Sequence, residues 1–215
     1  MKVGAVILAA GGSRRFGTGR ENKLLFSFPA DGTPVIVRIC QRIVEAGFQP
    51  VVAVVGFQGW RVRKALHALP VRVVRNRRWK EGMSGSIRTG VEAIRNRCDG
   101  AAVILGDMPL LTVETLTHLR NRFESSKGKH IVFPTFRGNQ GNPVIFPRTF
   151  FPEIMAVAGD RGCKGVLEDH REDSEVTPVP SDEVLLDYDT VSDYWEIMCQ
   201  VSRNKDEVAR ITHNS

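Results

Sequence analysis

Residues Val3–Leu25 read VGAVILAAGGSRRFGTGRENKLL: an unbroken apolar run, Val3–Leu8, then a segment holding four glycines, three arginines and a lysine. An apolar run without polar alternation fits a strand buried on both faces, as in a parallel sheet. Glycines placed directly after such a strand let backbone N–H groups converge on an anion, and Arg14, Arg15 and Lys23 add positive charge. The two familiar phosphate-loop patterns do not fit. Gly12 and Gly17 have Walker spacing, but Thr18 and Gly19 stand where Lys and Ser/Thr are needed. Gly17-x-Gly19 begins a dinucleotide fingerprint that ends on Asn22 instead of glycine. A Gly-rich solvated loop explains the stretch as well as an anion site does, until the rest of the chain is read.

Outward from this stretch, β-branched runs alternate with helical patterns. Strands are expected at Val51–Val55, Val71–Val74 and Ala101–Leu105, and helices at Pro34–Ala46, Gln58–Leu69, Ser84–Asn96 and Thr112–Glu124, the last capped by Thr112. The second half is less regular. It offers strands at Ile131–Phe133, Val144–Phe146, Val176–Val179 and Val184–Asp187, short helices near Phe150–Val157 and Gly165–Asp169, and a final helix from Val191. Strands alternating with helices imply an α/β fold, three-layered and Rossmann-like, with a mostly parallel central sheet. One domain over residues 1–202 and a polar tail over 203–215 follow, since no linker or repeat divides the chain.

The 215 residues are 42% hydrophobic and 25% charged, a globular composition. No apolar run approaches the roughly 20 residues that span a bilayer, and Met1-Lys2-Val3-Gly4 leads straight into a strand with no cleavage site, so neither a membrane nor a secretory leader is expected. Cys40, Cys98, Cys163 and Cys199 lie far apart, without metal-ligand spacing. Reduced structural thiols and a cytoplasmic location are expected. The net charge of +6 concentrates at Arg14–Lys23 and Arg72–Lys80. Local clusters beside glycines suit a phosphate pocket better than a nucleic-acid stripe, which would interleave aromatics on a basic face.

Three further stretches place chemistry. VILGDMPLL puts Asp107 at the end of an apolar strand, where ligands of open α/β sheets bind. A carboxylate there suits a magnesium ion, and equally a helix cap. LLDYDT supplies Asp187 and Asp189 at another expected strand end. NRRWKEGMSGSIRTG sets Gly82, Ser84, Gly85 and Ser86 before a helix, where free N–H groups point at one spot; Ser84 as a plain N-cap is the simpler alternative.

Taken together, LAAGGSRRFG with NKLL, NRRWKEGMSGSIRTG, GDMPLLT, GNQGNPVIF, GDRGCKGVL and LDYDT form an ordered set. The chain resembles the small nucleotidyltransferases that activate molybdenum cofactor, most nearly the molybdenum cofactor cytidylyltransferases. It departs from them at Gly85, which interrupts consecutive serines, and at Val191, where the family has proline. The resemblance implies CMP transfer from CTP to the terminal phosphate of a molybdopterin-type cofactor, with release of pyrophosphate and with Mg2+ as cofactor. It implies nucleotide contacts from Leu8, Ala9, Ala10, Gly11, Gly12, Ser13, Arg14, Arg15, Lys23, Gly82, Ser84 and Ser86. Catalysis would rest on Lys23, Arg15 and Asp107, with Asp107 and Asp189 on the metal. Gly141, Asn142, Pro143, Asp160 and Arg161 would border the acceptor. CTP or another nucleoside triphosphate and the molybdopterin-type cofactor are the expected substrates. A client molybdoenzyme or its maturation chaperone is a further expected partner. Guanylyl transfer, transfer to a sugar or polyol phosphate, and a silent cofactor-delivery module are the alternatives. Retention of both metal carboxylates and the lysine speaks against the last.

Overall fold

The computed structural model describes residues 1–29, 31–157 and 163–199. Strands β1 (Val3–Ala9), β2 (Val51–Val55), β3 (Arg72–Arg75), β4 (Gly100–Leu105), β5 (Ile131–Phe136), β6 (Asn139–Gln140), β7 (Val144–Pro147) and β8 (Ser174–Pro178) form one sheet. Its order is β3-β2-β1-β4-β7-β5-β6, with β8 beside β5. The β1–β2, β1–β4, β2–β3 and β5–β8 pairings are parallel; β7 and β6 run against their neighbours. The sheet is therefore mostly parallel, as the uninterrupted apolar strands predict.

Alternation along the strands builds the three layers, because successive side chains point to opposite faces. On one face Ala5, Ile7 and Ala9 of β1 join Ala53, Ala102 and Ile104 beneath helices α1 (Val35–Glu45), α2 (Gly59–Ala65) and α4 (Val113–Ser125). On the other, Val6, Val52, Val54 and Val103 meet α3 (Met83–Ile94), α5 (Phe151–Ala156) and α6 (Lys164–Asp169). Gly90 lets α3 lie close on β1: a Cβ there would stand 2.2 Å from Val6 Cγ1. Thr112 caps α4 as expected, accepting from the Thr115 N–H at 3.2 Å.

A third, smaller cluster holds the chain against the active end of the sheet. Phe16, from the middle of the basic loop, is fully buried with Phe28, Tyr188 and Tyr194. Its ring meets Phe26 edge-on at 4.6 Å and Tyr188 at 5.8 Å. Residues 191–199 are helical and bring Tyr194 into this cluster.

The structure changes several expectations. Val184–Asp187 is no strand: Asp182–Val184 forms a 3-10 turn, and the chain runs on without ladder pairing. Val184 O instead accepts from Asn142 N at 2.8 Å, so this segment crosses the strand ends rather than extending the sheet. Asp187 and Asp189 accordingly lie on an irregular crossing segment. The helix after Gln58 stops at Ala65, well before Leu69. Ser84 is not the N-cap: α3 begins at Met83 behind Gly82, whose φ of 109° suits glycine alone. The four cysteines are free thiols; Cys40, Cys98 and Cys163 are buried and Cys199 is exposed. Among the described residues no helix is long and apolar enough to cross a membrane.

Candidate functional site

The carboxyl ends of β1 and β4 open into a cleft of about 530 Å3, lined by Leu8, Ala10, Gly11, Gly12, Arg14, Gly82, Ser86, Leu105 and Asp107, with Trp79 and Met83 among the remainder. Gly11 has nothing within 4 Å of where a Cβ would sit, so this part of the loop backbone is open to a ligand. The loop itself is anchored rather than slack. Ser13 adopts a left-handed φ of 49° and its Oγ accepts from Lys23 N at 3.1 Å. Asn22 Nδ2 donates to Phe57 O at 2.9 Å, and its Oδ1 accepts from Leu24 N. Phe16 plugs the centre. Glycine here serves approach by a ligand more than mobility.

Lys23 is the electrostatic centre. It is buried, and its Nζ lies 2.6 Å from Asp107 Oδ2, 2.9 Å from Asp189 Oδ1 and 2.5 Å from Tyr188 O. Burial alone would lower the ammonium's pKa, but the Asp107 and Asp189 carboxylates outweigh it and the net direction is upward. Lys23 therefore stays charged. Arg15, largely exposed, reaches the other oxygen of Asp189 at 2.6 Å. Asp187 stands at the exposed rim, its carboxyl raised by partial desolvation and then by the Asp107 and Asp189 charges. Two carboxylates thus hold one buried ammonium, with Asp187 close enough to feel their charges. Among the described residues no group of three or more His, Cys, Asp or Glu is placed to hold a metal by protein ligands alone. Asp107 and Asp189 converge on the Lys23 ammonium itself, so a small hard cation held by them would sit beside Lys23 and take water and phosphate oxygens as its other ligands.

A second cavity of about 570 Å3 adjoins the first and shares Leu8, Met83 and Leu105 with it. Ile87, Val103 and Val144 add apolar surface, while Gly141, Asn142, Lys164 and Arg171 supply polar wall. Arg171 bonds Gln140 Oε1 and lies over the Phe133 ring at 5.0 Å.

Not every expected residue reaches these cavities. Ala9 belongs to the core under α1. Ser84 is buried in the first turn of α3, and Ser86 lines the first cleft while its Oγ accepts from Asn76 Nδ2 at 3.0 Å. Pro143 follows a cis peptide bond behind Asn142 and lies buried. Asp160 and Arg161 fall outside the described residues. Conversely, sequence reasoning missed Trp79, Asn76 and Tyr188. Trp79 seals the loop from outside: its ring would be 3.0 Å from a Cβ at Gly12, and its Cβ 2.5 Å from one at Gly56. Tyr188 fixes Lys23 from both ends, its hydroxyl donating to Lys23 O at 2.6 Å while its own carbonyl accepts from Nζ. All three lie inside or beside the stretches already singled out, and only their partners give them meaning.

Comparison with known proteins fits this geometry. A Bifunctional protein GlmU from Syntrophomonas wolfei is 29% identical over 148 residues, covering 69% of this chain and 31% of that protein. The chain thus spans about a third of that relative's length. Rv0371c from Mycobacterium tuberculosis H37Rv superposes with a TM-score of 0.78 at 27% identity, covering 92% of this chain and 98% of that one. Its complex with manganese gives 0.70 at 25% identity, with the same coverage. A nucleotidyl transferase from Methanothermobacter shares the fold, with a TM-score of 0.80 at 22% identity over 94% of this chain and 99% of its own. The model of the MobA-like NTP transferase domain matches residues 5–176. With four-fifths of its length under that model, the chain belongs to the MobA-like NTP transferase family and is a nucleotidyltransferase.

Proposed function

We propose that the protein transfers CMP from CTP to the terminal phosphate of a molybdopterin-type cofactor. The observation that carries this reading is the pair of cavities meeting at Leu8, Met83 and Leu105, one polar and lined in part by the glycine-loop backbone with Arg14 and Lys80, the other floored by apolar side chains. Two substrates, a polyanionic donor and an acceptor with an extended weakly polar body, fit such a pair. A flat heterocycle covers the apolar floor of Leu8, Ile87, Val103, Leu105 and Val144 well. A sugar would leave its hydroxyls unpaired against the same floor.

An acceptor phosphate oxygen attacks the α-phosphorus of the triphosphate, the bond to the bridging oxygen breaks, and pyrophosphate leaves. The attacking oxygen is already anionic, so no general base is required. The barrier lies in bringing two anions together and holding the in-line geometry. Backbone N–H groups of Ala10–Ser13 bind the triphosphate, and Arg14 and Arg15 neutralise its outer phosphates from the exposed rim. Lys23, kept charged and fixed by Asp107, Asp189 and Tyr188, offers its ammonium to the charge that grows on pyrophosphate. Asp107 and Asp189 would hold a divalent cation, magnesium or manganese, which when bound neutralises charge on the phosphates. Ser86, held by Asn76, sits where it can read the ribose or base, and Gly141 and Asn142 border the acceptor.

The test is pyrophosphate release by purified protein with CTP or GTP, each offered molybdenum cofactor, a sugar 1-phosphate or no acceptor. Release with CTP and molybdenum cofactor is expected. Faster turnover with the sugar phosphate, or with GTP, overturns the acceptor or the nucleotide assignment respectively.

A further inference from the structure

From Ala46 to Lys80 the chain carries eight Lys and Arg and no Asp or Glu. With those eight set aside, the remaining 22 basic residues no longer outnumber the 24 acidic ones, so the net positive charge of the protein resides in this one segment. The segment folds as β2, α2, β3 and the turn Trp79–Glu81, which together make one edge of the sheet. All eight cations are exposed. The one carboxylate within 4.0 Å of any of them, among the described residues, is Glu81, 3.9 Å from Arg78.

Cations often guard a sheet edge against aggregation, and one or two on the strand suffice for that. Here they extend well beyond β3, onto α2 and toward the following turn, where Lys80 belongs to the lining of the first cleft instead. They also flank the edge on both faces. Arg63, on α2, reaches Val73 O at 3.2 Å from one face, and Arg72 reaches Ala93 O of α3 at 3.2 Å on the other. Among the described residues β3 pairs only with β2, which leaves the outer side of its backbone ladder without a strand partner; Val73 O there is covered by the Arg63 side chain, which an added strand would displace. Trp60, 71% exposed, stands on the same edge. We infer that this edge docks an acidic, extended segment of a partner protein, added as a strand beside β3. Successive side chains of an added strand point to opposite faces, so carboxylates on both would meet Arg63 and Lys64 on one side and Arg72 on the other. A nucleic acid could use the charge but not the open strand edge.

The probe is a fluorescein-labelled twelve-residue peptide of alternating Glu and Val pairs, titrated into the full-length protein at low and high salt. A Lys/Val peptide and a twelve-nucleotide single strand of DNA are the controls. The Glu peptide should bind in a salt-sensitive way and slow amide exchange at Arg72–Arg75. Binding should fall at least tenfold in Arg63→Glu/Arg72→Glu/Arg75→Glu, with CTP turnover unchanged. The milder triple Gln variant serves the same test should charge reversal impair folding. Tighter binding of the DNA transfers the surface to nucleic acid. Binding without protection of β3, or no binding at all, overturns docking at the edge. A raised KM for CTP with unaltered peptide binding assigns the cations to steering of the nucleotide.

Discussion

The two adjoining cavities are built from different materials. The first is walled in good part by loop backbone, with charge from Arg14, Lys80, Glu81 and Asp107, the last paired with buried Lys23 behind the wall. The second is walled by side chains from β4, β7, α3 and α6, with Lys164 and Arg171 at its polar margin. Backbone donors recognise any phosphate chain, because every residue has the same N–H. Side chains are specific to each position and can select one acceptor body. On the function proposed above, the first cavity is the donor half, suited to any nucleotide-transfer reaction, and the second the acceptor half, suited to one of them.

The strongest way to break this division is at Asp107, which lines the first cavity two residues beyond the shared Leu105. Asp107→Ala should lower kcat by about 10²–10³-fold, the scale seen when one charge-stabilising group is lost from a reacting centre. The fold should survive, because Lys23 keeps Asp189 and Tyr188 O as partners. Circular dichroism and pyrophosphate release check both halves of this. A rate near that of the wild type at saturating magnesium would move Asp107 out of the chemistry.

Lys23→Ala comes next. Hydrogen bonds to charged groups contribute about 1.5–3 kcal/mol, so triphosphate affinity should fall roughly ten- to a hundredfold while CMP affinity barely changes. Calorimetry with CTP and CMP measures the difference. Without the ammonium, Asp107, Asp187 and Asp189 repel one another. The variant should melt earlier than wild type and regain more of its Tm on addition of Mg2+. An equal loss for CTP and CMP would place Lys23 away from the outer phosphates.

How far the sequence foretold these regions follows the same division. The parallel sheet, α1, α3 and α4 were legible because β1, β2 and β4 are buried on both faces and read as continuous apolar runs. Lys23 and Asp107 were legible as charged residues beside a glycine loop and at a strand end. Their direct contact was not, since it spans 84 positions and depends on the crossing segment that carries Asp189. That segment was misread as a strand. The apolar run Val184–Leu186 is apolar because Val184 packs against the sheet-end core, where a Cβ on Gly141 would stand 2.7 Å from it, not because it joins a ladder. Burial against strand ends and burial within a sheet leave the same mark on a short sequence. The loop was read from its glycines and charges alone, and Phe16 was overlooked as the residue that fixes it.

Ala10 sharpens the comparison within the proposed donor half, where one methyl group rather than a charge would do the selecting. It is buried at the cleft wall. A methyl narrows the space a purine needs, and a change of this size is worth about 1–3 kcal/mol, at least tenfold in discrimination. Ala10→Gly should lower the CTP-to-GTP ratio of kcat/KM by roughly tenfold. If the methyl only packs the loop, both nucleotides will lose alike and the ratio will stand.

The smallest effect belongs to the acceptor half, at Arg171. Its guanidinium is exposed, shared with Gln140 and laid over Phe133, so any phosphate or carbonyl it meets is also screened by water. Exposed ion pairs contribute about 0.2–1 kcal/mol, so Arg171→Ala should raise the acceptor KM only two- to fivefold. The KM for CTP and kcat should not move, since the residue lines the second cavity and not the first. Steady-state kinetics with each substrate varied in turn separates these constants. Arg171→Lys should restore most of the loss if charge is what matters, and little of it if stacking on Phe133 holds the wall in place. A change in the CTP constant instead would mean that the two cavities are not independent, and that the acceptor wall also shapes the donor cleft through Met83, which both of them share.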